Sequence, residues 1–375
     1  MGRQPTRSFN EVPASTPQPK RCSKWNLHPI VDIAKRRIFQ IAPKNIGALS
    51  ERIWEIAQGE ISTARPAYFL PNQLERVKGW AFASAHPRRE MEGGFQVAHS
   101  PTKGILLKEA WLIDGVLYKG SASSYLQPRA SRWFPLLHVE NEIDRGAIYC
   151  TSGGNKYFGQ WLMDDCVTYP LATVEGIPVT TDQRVNVHTP DYENILDMNP
   201  VRIRSAFFKE VVVFDDVGQN RHKHARFRSL SDKLLSHVDA NPHPGVFILR
   251  GSTGEKRLLH NEIEIAEYLR DMYGFRILDP ANTNVQSIID TCAGSQTIVG
   301  VEGSGLMHGL LVLPRGGSVL TLQPPNRFVS LYKHLTDRDD QNFGFVVGIA
   351  DDNGFRIDPI EVGRTLELFP ELPAL

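Results

Sequence analysis

A chain of 375 residues with 41% apolar content is long enough for two domains of roughly 150 residues and apolar enough to give each a buried core. Its 42 Lys and Arg balance 42 Asp and Glu, which excludes a whole-molecule field drawing in nucleic acid or an anionic bilayer; any bound anion must be held locally. No apolar run approaches the roughly 18 residues of a membrane span. The first residues also lack the hydrophobic stretch of a secretory signal, so the expectation is a cytoplasmic protein. Cys22, Cys150, Cys166 and Cys292 form no CxxC pair, which points to reduced thiols rather than zinc ligands or disulfides.

Residues 1–28 carry five Lys/Arg against one Glu, with four prolines between, and predict a disordered tail. From 29 to 57, Ile30, Ile33, Ala34, Ile38, Leu49, Ile53 and Ile56 recur at near-helical spacing and predict helix. From Gly104 the alternation around Asp114-Gly115 predicts a short hairpin, the start of a β-containing layer. All six tryptophans, at 25, 54, 80, 111, 133 and 161, precede residue 162; such rings form saccharide platforms or, more often, fill a core. VVVFDD (211–216) and GVFILR (245–250) read as buried strands. The basic stretch 221–228 between them reads as a linker, followed by a short helix near 231–238.

Beyond Arg250, strand and helix alternate. A helix at about 261–273 has Ile265, Leu269, Met272 and Tyr273 on one face; FRILDP is a strand; Val285, Ile288, Ile289 and Cys292 sit at i, i+3, i+4, i+7 of the next helix. QTIVGV, GSGLMHGLLVLP and SVLTLQ then read as strand, glycine-opened helix and strand, with a further helical piece from Phe328. Such alternation implies right-handed crossovers and a parallel sheet covered on both faces, with ligands at the carboxyl ends of the strands. The division expected is a tail at 1–28, an N-terminal domain at 29–240 and a C-terminal domain at 241–375.

The sharpest local feature is Val299-Gly300-Val301-Glu302-Gly303-Ser304-Gly305-Leu306, a strand entering a glycine turn and a helix. The turn lets an anion approach the backbone. The helix dipole supplies only about 0.3–1 kcal/mol there, so a diphosphate needs cations. Arg250 and Arg257 stand at the adjacent strand end, where charge-assisted hydrogen bonds contribute about 1.5–3 kcal/mol each. Without a ligand the same glycines would serve close strand–helix packing.

Taken together, Arg250, Arg257, Asn261-Glu262, GFRILDP, Gln286, the IVGVEGSGL block and LVLPRGGSVLTLQP, with NKYFGQWLMDDCVTYPLA (155–172) upstream, resemble the catalytic region of glycosyltransferase family 61. The resemblance spans roughly residues 100–330. It implies a GT-B-like architecture, two Rossmann-like domains facing across a cleft, and inverting transfer of a sugar from a nucleotide-sugar donor to a glycan acceptor, without a metal or other cofactor. On that resemblance Arg250, Arg257, Gly303, Ser304 and Gly305 hold the donor diphosphate. Asn261, Glu262, Gln286 and Glu302 lie near the nucleotide or order its loops, Gln160 and Trp161 face the acceptor, and Asp164 is the catalytic acid/base position. The pathway implied is bacterial capsule, exopolysaccharide or lipopolysaccharide synthesis, with a glycan or lipid-linked acceptor and peripheral association with the membrane. Two departures stand out: Gln160 and Glu302 occupy positions where the family has His, and His308 just past the turn is either a substitute or a packed core residue.

Rival readings attach to other residues. Asp215-Asp216 closes the VVVFDD strand, as a metal-binding pair would, and adjacent aspartates are also ordinary turn residues. His222, His224, His237 and His243 show no compact ligand spacing. Loss of the family histidines also fits a non-catalytic scaffold that binds nucleotide or glycan in polysaccharide assembly.

Overall fold

The computed structural model describes residues 18–42, 44–81, 86–127, 135–183, 186–236, 238–251 and 257–370. Residues 1–17 of the expected tail, Trp133, His237 and most of the loop between Arg250 and Arg257 lie outside them. The architecture is mixed α/β with two large sheets. The first is built from β1 (Lys20–Trp25), β2 (Arg52–Ala57), β3 (Thr102–Ile113), β4 (Val116–Lys119), β5 (Ala122–Tyr125), β6 (His138–Ile148), β7 (Ile177–Thr181), β8 (Val201–Ile203) and β9 (Ser205–Asp215). Its strand order is β8-β7-β6-β9-β3-β4-β5, with β1 added to β6 and β2 to β3. β6 runs parallel to β7 and β9, while β3 runs antiparallel to β9, β4 and β2. The hairpin expected at Asp114-Gly115 is present: Ile113 faces Val116, and both turn residues have positive φ, 50° and 78°, which the right-handed strand twist favours.

Three readings of the N-terminal half are corrected. Helix α1 covers only His28–Arg37, and Arg52–Ala57 is a strand; Ile53 and Ile56 have helical spacing, but Trp54 and Ile56 alternate as a strand requires while Ile53 points out, and the open edge of β3 decides for extended backbone. Within the expected tail, Lys20–Trp25 pairs antiparallel with β6, helped by the Lys24–Glu142 ion pair at 2.7 Å. The basic 221–228 stretch is no linker but the first half of α4 (Arg221–Leu235). Asn220 caps it by accepting from the Lys223 amide, and the buried Lys223 and Arg226 find carboxylate partners below, which is why a charge-rich sequence can pack. Among the described tryptophans, Trp161 is in the core, Trp54, Trp80 and Trp111 are half-buried, and only Trp25 stands well out at 71% exposed.

The second sheet contains β10 (His243–Ile248), β11 (Arg276–Leu278), β12 (Ser295–Val301), β13 (Ser318–Gln323) and β14 (Asn342–Val347). Every pair is parallel, in the order β11-β10-β12-β13-β14. Helices α5 (Glu262–Tyr273) and α9 (Pro359–Leu366) cover one face, where Phe247, Val299, Leu320 and Val346 meet Ile265, Leu269 and Val362. Met272, expected on the buried face of α5, is instead 67% exposed, and Ala266 and Glu262 complete that face. Helices α6 (Val285–Cys292), α7 (Leu306–Val312) and α8 (Leu331–Arg338) pack on the other, together with α4, with α2, a helix running from Phe158 to Glu175, and with α3 (Thr189–Ile195). A single apolar cluster joins Ala147 and Val212 of the first sheet to Val246, Ile298 and Phe343 of the second, so this helical layer lies between the two sheets.

Candidate functional site

In the second sheet the crossover from β10 goes to one side and the chain then returns past it to β12, so the direction of winding reverses between these strands. A crevice opens at the carboxyl ends of strands flanking such a switch point. Arg250 follows β10 there, and Glu302-Gly303 follows β12; Ile248 and Gly300 are register partners. Arg250 Nη1 donates to the Glu302 carbonyl at 3.1 Å, and Arg257 Nη1 donates to the same oxygen at 3.0 Å. A Cβ on Gly303 would stand 1.8 Å from Arg250 Nη1 and 3.5 Å from Arg257 Nη1, so glycine is required for the guanidinium to lie against the turn. The buried Tyr332 hydroxyl accepts from the Gly303 amide at 3.1 Å and fixes the turn from behind.

Glu302 does not leave an open negative charge beside these cations. Its Oε2 pairs with Arg257 Nη1 at 2.6 Å and with Arg327 Nη1 at 3.2 Å. Arg327 follows β13, the next strand over, and had no motif to mark it; its place at a strand end of the parallel sheet was the one available signal. Glu262 at the start of α5 accepts from the amides of Arg250 at 2.8 Å and Gly251 at 3.0 Å, ordering the loop after β10. Burial raises the Glu262 pKa against the effect of those amides; burial and neighbouring Arg257 lower that of Arg250. Among the described residues of the cluster, three guanidiniums against two carboxylates leave one net positive charge. Asn261 is bonded through its side chain to the backbone of Ile357. Gln286 is exposed in the first turn of α6 and donates to Asp290 at 2.9 Å. Ser304 and Gly305 lead into α7.

The first sheet meets this turn through α2. A Cβ on Gly159 would lie 3.0 Å from Met307 Cγ and 3.3 Å from Ser304 Oγ, so the opening of α2, just beyond the carboxyl end of β6, abuts the glycine turn. Gln160 lies over Gly153, its Oε1 2.1 Å from where a Cβ would be. Trp161, expected on the acceptor side, is only 3% exposed and packs with Phe158 and Tyr192, so it is a core residue with no face for a saccharide.

Trp161–Asp165 is a π-helical turn within α2, a feature often found at functional sites. It sends its two carboxylates to different surroundings. Asp165 is fully buried, accepts from the Thr151 amide and hydroxyl at 3.2 and 2.9 Å, and is pushed up in pKa by burial. Asp164 is partly exposed, and its Oδ1 accepts from Lys223 Nζ at 2.6 Å. Lys223 also donates to the Asp216 carbonyl at 2.8 Å. The Asp216 carboxylate takes both arms of Arg226 at 2.8 and 2.9 Å and the hydroxyls of Thr102 and Thr168, each at 2.8 Å. Burial opposes its charge, but Arg226 and Lys223 outweigh that and hold the pKa below the ordinary range.

These contacts decide between alternatives that the sequence left open at two places. Asp216 spends its lone pairs on a guanidinium and two hydroxyls, so it is a structural anchor for α4 rather than half of a metal pair. Among the described residues no group of three or more His, Cys, Asp or Glu is placed to hold a metal ion. His308 is 2% exposed, bonded to the Tyr192 hydroxyl at 2.7 Å and stacked among Phe158, Tyr192 and His188. Burial, helped by His188, drives its pKa down to about 3. It is a neutral core histidine, the packed alternative of the two, and is not aimed at the glycine turn as a substitute donor.

The second sheet is an open parallel α/β sheet with arginines gathered on a glycine turn at its switch point, the edge where sheets of this class receive ligands and a set of donors that suits an anion. The family model described as Glycosyltransferase 61 matches residues 124–320, more than half of the chain, and the chain belongs to glycosyltransferase family 61. No curated protein matches it. The matched stretch contains Asp164, Arg250, Arg257, Glu262 and the glycine turn but ends before Arg327 and Tyr332. Among the described residues no helix is long and apolar enough to cross a membrane.

Proposed function

We propose that the protein is an inverting glycosyltransferase that moves a sugar from a nucleotide-sugar donor to a glycan acceptor in bacterial surface polysaccharide synthesis. In this reading the architecture is GT-B-like, with residues 29–240 on the acceptor side and 241–375 binding the donor. The observation carrying it is the convergence of Arg250, Arg257 and Arg327 on the Glu302-Gly303 turn at the switch point. The acceptor hydroxyl attacks the anomeric carbon, the bond from that carbon to the diphosphate oxygen breaks, and the nucleoside diphosphate leaves with the electron pair. The guanidiniums take up the charge that develops on the leaving group, which is why the reading calls for no metal or other cofactor. Asp164 receives the hydroxyl proton, with Lys223 holding its carboxylate in place. The four cysteines are free thiols, in keeping with a cytoplasmic setting.

A second reading, a donor-binding scaffold without turnover, is favoured by two observations: Gln160 cannot titrate, and Asp164 is already engaged by an ammonium group. A screen of nucleotide sugars by thermal stabilisation tests both. A true donor at 100 times its dissociation constant stabilises the fold by about 2.7 kcal/mol. Release of free nucleotide with an acceptor panel supports transfer, binding without release supports the scaffold, and stabilisation by none removes both.

A further inference from the structure

Helix α1 is packed the unusual way round. Its polar side faces the protein: the buried Asp32 accepts from Ser123 Oγ at 3.0 Å and Tyr125 Oη at 2.6 Å, His28 stacks on Tyr118, and Arg36 lies over the Tyr125 ring. Its apolar side faces out. Leu27, Ile30, Val31 and Ile38 are 64%, 45%, 44% and 72% exposed, and with Ala34 they fall at i, i+3, i+4, i+7 and i+11, a continuous stripe along the helix. Phe39 and Ile41 extend it past the last turn, 64% and 54% exposed. A patch of this kind on a folded chain marks an interaction surface rather than scattered exposed residues.

The charges beside the stripe choose the partner. With about 100° per residue and Leu27 at zero, Lys35 falls at about 80° and Arg37 at about 280°, one on each border of the apolar face. No acidic residue lies on that side; the helix's one carboxylate, Asp32, is turned inward. An apolar ridge bordered on both sides by cations is complementary to a lipid surface with anionic headgroups, the cations meeting phosphates while the ridge enters the acyl boundary. We propose that α1 is an interfacial anchor that docks this protein on an anionic membrane. The inference is independent of the donor site.

The test uses the full chain and sedimentation with vesicles of phosphatidylcholine alone or with added phosphatidylglycerol. The protein binds the anionic vesicles, and raising the salt concentration weakens that binding. Ile30→Asp with Ile38→Asp lowers vesicle affinity by about tenfold or more, and so does Lys35→Glu with Arg37→Glu, both keeping the wild-type unfolding midpoint. Should the first pair unsettle the helix, Phe39→Ser, beyond its last turn, reads the same surface. Absence of binding to anionic vesicles, or binding indifferent to these substitutions, overturns the proposal. A dimer that the Ile substitutions dissolve, with no vesicle binding, assigns the stripe to a second copy and overturns it as well.

Discussion

Replacing Asp216 by Asn is the sharpest test of how α4 is held beneath the Asp164 side of the site. The substitution preserves shape but removes the charge that faces both arms of Arg226, in a pair whose side chains are 8% and 5% exposed. Breaking a buried pair from one side leaves an uncompensated charge and costs about 3–5 kcal/mol. Urea unfolding of the wild type, Asp216→Asn, Arg226→Met and the double variant measures it. The double variant is expected to be less destabilised than the sum of the two by about 0.5–3 kcal/mol. The pH dependence has a definite sign. Because the folded pKa of Asp216 is lowered, its contribution is complete above the ordinary carboxylate value of about 3.9 and is lost as pH falls through the folded one. The gap between wild type and Asp216→Asn is therefore constant near neutrality and narrows in acid. A cost below about 1 kcal/mol, or additivity within about 0.5 kcal/mol, would refute this description of the cluster.

Three further outcomes are expected. His308 is neutral in the fold with a pKa of about 3, so the unfolded chain takes up a proton below about 6.5 and wild-type stability falls with pH from there toward 3; His308→Gln loses that component, a difference of about 2 kcal/mol in slope-corrected stability by pH 5, checked by unfolding at pH 7 and 5. Gly303→Ala pushes its Cβ into Arg250 Nη1 and costs one charge-assisted contact, about 1.5–3 kcal/mol of nucleoside diphosphate affinity, read by calorimetry. Asp164→Asn lowers turnover by about 10²–10⁴ while nucleotide binding persists; near-full turnover excludes Asp164 as base.

How much of this was legible in the sequence depends on the range of the interactions involved. The Val285, Ile288, Ile289, Cys292 face of α6 and the Asp114-Gly115 hairpin are local patterns, and the structure contains both. The pairing of Arg250 and Arg257 with the glycine turn was also readable, because a strand end and a glycine-opened helix in an alternating chain must share one sheet edge. Arg52–Ala57 was not, since Ile53 and Ile56 have helical spacing and only the edge of β3 settles it. Nor was the partnership of Lys223 with Asp164, 59 residues apart, which turned a basic stretch read as a loop into a packed helix. Trp161 and Arg327 failed in opposite directions. Trp161, given an acceptor-facing role by the family resemblance, fills the core, and an arginine in no motif reaches Glu302 because β13 lies next to β12.

Guanidiniums at the β10/β12 switch point are proposed to hold the donor diphosphate. Calorimetric titration of a panel of nucleoside diphosphates into the wild type, Arg250→Gln and Arg257→Gln addresses it directly. At least one nucleotide binds the wild type, and each substitution weakens it by about 10- to 150-fold; Arg257→Gln also leaves the buried Glu302 carboxylate to Arg327 alone and lowers the unfolding midpoint of the apo protein, so affinities are compared below the midpoints of all three proteins. Binding of the same nucleotide with undiminished affinity to both variants would contradict it.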